Sequence, residues 1–198
     1  MIEQIIYWTI YLLFLHLLLP KKYKSFTITS NLVSLTHAVI TIIGSSYFIL
    51  TENWEHDNFN NNKLWFINLS ASYFIYDCLF IIINILINNN KSIIFLLHHL
   101  LILSVYYIAL TYDYGAKLVI FTIFWGELTN PLQITWVLSR NLKYRKIEAY
   151  IFPVFSFNFM IIRSLVMPYM NYTIIKTLNN NYYYPNICLI ILSILGNI

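Results

Sequence analysis

Charge is the scarcest resource in this 198-residue sequence: Asp, Glu, Lys and Arg together make up 10% of it, against about 25% in a typical soluble domain. With 59% of residues hydrophobic and a mean hydropathy of +0.65, too little charge is present to cover a water-facing surface. Apolar stretches of about 20 residues recur, each long enough to cross a hydrocarbon core of about 30 Å. An integral membrane protein with one polytopic domain follows. The two cysteines, Cys78 and Cys188, lie in apolar stretches and read as small packing residues rather than as a disulfide or metal pair. There is no Gly-rich phosphate loop, no Ser nucleophile elbow and no basic surface for nucleic acid. Glycine and proline are few while Tyr, Asn, Ile and Lys abound, a bias expected of AT-rich coding, so the Asn runs need carry no meaning.

What is present is an all-α pattern of about seven candidate spans, near 2–19, 29–50, 64–87, 92–111, 117–138, 149–170 and 185–198. The last holds about 14 residues, short of the roughly 17 usually needed. The first opens with MIEQ, lacks a basic leader and a small-residue cleavage site, and is expected to be an uncleaved helix. Residues 1–20 are thus an N-terminal transmembrane helix and 21–198 the main domain. If the spans alternate, one side collects Lys21, Lys22, Lys24, Lys91, Arg140, Lys143, Arg145 and Lys146. The other holds only Lys63, Lys117 and Lys176, together with Glu3, Glu52, Glu55, Asp57 and Asp113. The positive-inside rule then makes loops 21–28 and 139–148 cytoplasmic and the N-terminus lumenal or external.

Polar residues inside the spans fall on stripes. Ser30, Ser34, His37, Thr41, Gly44 and Ser45 share one face of the second span, and Ser70, Tyr73, Asp77 and Asn84 one side of the third. Glu127, Asn130 and Pro131 lie within one turn of the fifth, and Ser156 and Arg163 two turns apart on the sixth. Such stripes turn toward one another or toward water, so the bundle should enclose a polar cavity. At 1.5 Å per residue, His37, His98 and His99 lie roughly 10 Å from the cytoplasmic ends, Asn130 about 12 Å, and Asp77 and Glu127 about 15 Å, with Arg163 deeper at about 20 Å. An ionisable group at that depth marks a functional site by default.

Structural readings stand beside this one. Adjacent helical residues point about 100° apart, so His98 and His99 cannot enter a cavity equally. Asp77 and Arg163 could be a buried structural pair. His16 reads as interfacial. Pro131 should bend the fifth helix and free a carbonyl near residue 127. No His-x-x-x-His or Glu-x-x-His spacing occurs, so neither a metal nor another cofactor is expected.

Taken in order, SLTHAV, YFIYDCL, LLHHL, GELTNPLQITW and FNFMIIR followed by Pro168 resemble the TLC-domain family, from about residue 21 onward. The resemblance implies six core helices around a lipid-accessible cavity and residence in the endoplasmic reticulum or another endomembrane. The family includes ceramide synthases, whose paired histidines are followed by a His-Asp-x-x-Asp pattern; here that region reads FWGELTNP. The Glu-x-x-Asn-Pro form looks more like the members without an established synthase role.

Three functions are then open. One is binding, sensing or handling of membrane lipid by a cavity lined with His37, Asp77, His98, His99, Glu127, Asn130 and Arg163. The second is an acyl-CoA-dependent lipid acyltransferase, with His98 or His99 as base or acyl acceptor and Asp77 or Glu127 orienting it. The third is a translocation accessory whose polar layer serves only packing. Membrane lipids are the expected partners, with acyl-CoA added for an enzyme and no nucleic acid; the oligomeric state is not legible. The orientation has a direct check: Asn90 of the sequon Asn90-Lys91-Ser92 should carry no glycan when the protein is made in eukaryotic membranes. A glycan there overturns the assignment.

Overall fold

The computed structural model describes residues 1–52, 60–88 and 93–176. The expected span at 185–198, Cys188, Glu55, Asp57 and the sequon at 90–92 lie outside the described residues. Among the described residues every regular element is helical. They are α1 Ile2–Leu18, α2 Phe26–Thr51, α3 Asn61–Asn88, α4 Ile93–Tyr112, α5 Ala116–Glu127, α6 Asn130–Asn141, α7 Arg145–Ile161 and α8 Met167–Ile175. A π-helical turn, Ile162–Val166, joins α7 to α8. Four stretches are long and apolar enough to cross a membrane: Phe26–Thr51, Asn61–Ile87, Ile93–Tyr112 and Arg145–Met170.

The helix α2 occupies the centre and packs on α1, α3, α5 and α6. Its buried face is built from small and hydroxylated residues, among them Ser30, Ala38, Thr41 and Ser45, which let neighbouring backbones approach closely. The hydroxyls return to their own helix: Thr41 Oγ1 donates to the His37 carbonyl at 2.8 Å and Ser34 Oγ to that of Ser30 at 3.0 Å. This local bonding satisfies a hydroxyl within a membrane helix. On the other side of the core, Leu118, Val119 and Ile120 of α5 are fully buried. The helix α1 belongs to the bundle, with Trp8 and Leu12 buried one turn apart and the Trp8 indole donating to Ser72 Oγ at 3.3 Å.

The fifth span differs from a single bent helix. It is two helices of 12 residues, α5 and α6, separated at Leu128 and Thr129. Each half covers about 18 Å, so only the pair in series crosses the hydrocarbon. Pro131 falls in the first turn of α6, the place where a missing N–H costs nothing because that donor has no intrahelical partner. A second irregularity is the π turn just before Pro168, which can neither donate a hydrogen bond nor leave room for the carbonyl one turn back.

The two basic loops meet at one end of the bundle, where Tyr23 and Tyr144 share a hydrogen bond of 3.2 Å between their hydroxyls. At the far end Lys63 Nζ pairs with Glu52 Oε2 at 3.2 Å, and Asn60 Oδ1 caps α3 by accepting from the Lys63 N–H at 2.9 Å. The α2–α3 approach is close at Gly44, where an added Cβ would collide with the ring of Phe66. Gly44→Ile should therefore destabilise the fold by about 1–3 kcal/mol, the usual cost of overpacking. A lowered thermal midpoint in detergent is the readout, and an unchanged midpoint would show that the ring has room to move.

Candidate functional site

The polar stripes converge. Two adjoining lobes open between the helices, sharing Ser34, Tyr73, His98, His99, Asn130, Ile134 and Arg163 as a common wall. The inner lobe has about 770 Å³, open mouth included, and reaches Val105, Val119 and Met167. The outer lobe has about 1800 Å³, open mouth included, and runs past Asp77 and Asn84 to Thr27 and Val137 at the end carrying the basic loops. Together they form one chamber, polar at the neck and largely apolar in the inner lobe, with Asn31, Asn84 and Gln133 among the polar side chains that line the outer lobe.

Each ionisable group has an identifiable setting. His37, 1% exposed, is sandwiched by aromatics: it stacks on Tyr73 at 3.7 Å between ring centroids and meets Trp8 edge-on at 5.9 Å. Its Nε2 lies 3.2 Å from Ser70 Oγ, which in turn lies 3.1 Å from the Tyr106 hydroxyl. On its other side Nδ1 stands 4.0 Å from Glu127 Oε1, near enough for electrostatic attraction but too far for a hydrogen bond. Asn130 holds the second oxygen of that carboxylate, donating from Nδ2 to Oε2 at 2.8 Å. The Glu-x-x-Asn spacing thus acts across the break between α5 and α6, with the amide fixing the carboxylate toward α2.

His99 and Asp77 form a second unit, Nδ1 to Oδ2 being 3.2 Å. The ring N–H does not point along that line, so Nδ1 has an ionic neighbour without an aligned hydrogen bond. His98 has no hydrogen-bond partner among the described residues and presents its ring to both lobes. The neighbours therefore do differ in role, though both reach the chamber: one is held by α3 and the other is uncommitted. An Asp77–Arg163 pair is not formed, because α4 supplies the counter-group for Asp77. Arg163, on the π turn, instead donates from Nη2 to the Gly126 carbonyl at 3.0 Å. A carbonyl beside the helix break is thus engaged, one residue before the expected position and by a side chain rather than by a ligand.

All seven expected cavity residues, His37, Asp77, His98, His99, Glu127, Asn130 and Arg163, line one lobe or both. Trp8 and Tyr106 were not anticipated. Tyr106 is two turns beyond His99 on the same face of α4, a signal available in the spacing. Trp8 carried no such signal, since its helix has no polar stripe. No three His, Cys, Asp or Glu side chains among the described residues are grouped to hold a metal ion.

The Ser70–Tyr106 link is testable by a double-mutant cycle of Ser70→Ala and Tyr106→Phe. Its coupling should be about 0.6 kcal/mol, with a ceiling near about 1.7, the range of hydrogen bonds between membrane helices. Strict additivity would show that the two hydroxyls do not interact.

Compared with protein-family models, residues 27–198 match that of the TLC domain. No curated protein and no solved structure matches the chain.

Proposed function

The chain belongs to the TLC-domain family of polytopic membrane proteins, and from that premise we propose that it binds and handles a membrane lipid inside the helical bundle. The observation that carries this reading is the chamber itself, whose polar neck at His98, His99, Asn130 and Arg163 is continuous with aliphatic walls at Ile102, Val105 and Val119. A head group would take the neck and an acyl chain the inner lobe, which is the usual division of a binding site into a few polar groups and a larger apolar lining. The host membrane in this reading is the endoplasmic reticulum or another endomembrane, with loops 21–28 and 139–148 in the cytoplasm.

One geometric feature favours a second reading, an acyl-CoA-dependent lipid acyltransferase of the kind found in the ceramide-synthase branch. The carboxylate of Asp77 is 3.2 Å from His99 Nδ1 beside an uncommitted His98. A carboxylate in that position orients the ring, so Asp77 would hold His99 in place while the neighbouring His98 takes or gives a proton.

Purification followed by mass spectrometry of retained lipid, with acyl-CoA turnover measured on the parent and on a His98→Ala/His99→Ala variant, separates the readings. Lipid retained without turnover is the expected result. Turnover that the variant loses would instead make the protein an enzyme. If nothing is retained and the variant behaves as the parent does, both readings fail.

A further inference from the structure

We propose that the lipid handled here carries an anionic group, a phosphate or a carboxylate, and that Arg163 is the residue that anchors it. This deepens the lipid-handling reading and rests on it. The argument begins with charge accounting. Arg163 is the one Lys or Arg of the chain placed away from the ends of the apolar segments, and a guanidinium at that depth requires a partner. Of the eight acidic residues, only Asp77 and Glu127 lie well inside those segments, and none follows Glu148. Their direct contacts go elsewhere, Asp77 to His99 at 3.2 Å and Glu127 to Asn130 at 2.8 Å while facing His37. Glu127 reaches Arg163 only by longer-range attraction, and the guanidinium otherwise lies over the Phe159 ring at 5.5 Å. No carboxylate among the described residues lies within 4.0 Å of the Arg163 nitrogens, whose one hydrogen bond goes to a neutral backbone carbonyl.

The space beside the guanidinium is open and ringed by unused donors. Nε of Arg163 and Oγ1 of Thr122 are buried with no partner, and both residues line the inner lobe. Thr122 is one helical turn from Gly126, the residue whose carbonyl Arg163 contacts, which brings the two side chains to the same face of α5. A Cβ built at Gly126 meets nothing within 4 Å. Vacant donors around a vacant volume call for a group that only accepts hydrogen bonds and carries negative charge. Phosphate and carboxylate are the lipid groups that do so, and Arg binds both through its planar fork.

The widened turn serves this arrangement. The N–H of Met167 bonds back to the Ile162 carbonyl, five residues earlier, so the π register inserts an extra residue where Arg163 must leave the helix to reach α5. Backbone irregularity at this depth is tolerated where it borders a cavity, and such turns recur at functional sites.

The test compares three probes of one chain length on the full-length protein in detergent: oleyl phosphate, oleate and oleyl alcohol. One or both anions should bind roughly tenfold or more tightly than the alcohol, as expected for a charge-assisted contact, and their ranking separates phosphate from carboxylate. Arg163→Gln should bring the anions level with the alcohol, while Arg163→Lys keeps part of the preference. Gly126→Leu offers an independent arm: its Cβ meets nothing within 4 Å, its side chain extends into the open space and helix propensity improves, so it should weaken anion binding with no loss of thermal stability. Equal binding of anion and alcohol by the parent overturns the anchor but leaves lipid handling intact, as does an anion preference that survives Arg163→Gln. Retention of none of the three overturns both.

Discussion

A polar group surrounded by hydrocarbon must find its partner within the protein, and almost every feature of this bundle answers to that requirement. Hydroxyls on α2 fold back onto their own carbonyls. Other polar groups are linked across helices, as in the run from His37 on α2 through Ser70 on α3 to Tyr106 on α4. Because lipid is as apolar as a leucine side chain, burial of aliphatic surface does little to hold membrane helices together. Close approach at small residues and interhelical polar contacts carry that work, and the interior of this bundle is correspondingly rich in Ser, Thr and Ala.

The same requirement explains why the regular helices fail where they do. The break at Leu128 and Thr129 and the π turn at Ile162–Val166 lie on helices that meet across the chamber, joined by the contact from Arg163 to the Gly126 carbonyl. Exposed to lipid, either irregularity would strand backbone groups. Beside a polar cavity each finds a use, one by presenting a carbonyl and the other by projecting a guanidinium. Asn130, at the restart of the broken helix, holds Glu127 toward His37, so the discontinuity also sets the direction of a carboxylate.

The chamber sorts its ionisable groups into separate neighbourhoods. Aromatic rings from α1 and α3 enclose His37, α3 supplies a carboxylate to His99, and His98 is left facing the cavity. Three imidazoles of similar depth thus occupy one packed, one ionic and one uncommitted setting. Whatever chemistry the site performs, these residues are not interchangeable.

Hydropathy and helical spacing were sufficient to mark the chain as a helical membrane protein and to find the four long apolar stretches, since both depend on a segment and its solvent alone, but not to see that the fifth expected span is two short helices. Of the stripe at Ser30, Ser34, His37, Thr41, Gly44 and Ser45, all but Ser34 and Gly44 are buried, and those two are half-buried; the residues expected to line a cavity lie along the two lobes. Partner choice was a different matter. Asp77 could have met Arg163 on charge alone, yet it sits against His99, and Trp8 reaches His37 from a helix with no polar face of its own. Such pairings depend on how far each helix is rotated, tilted and shifted against its neighbours. That geometry is a property of the assembled bundle, settled by packing at residues such as Gly44 and Pro131, and no single segment contains it.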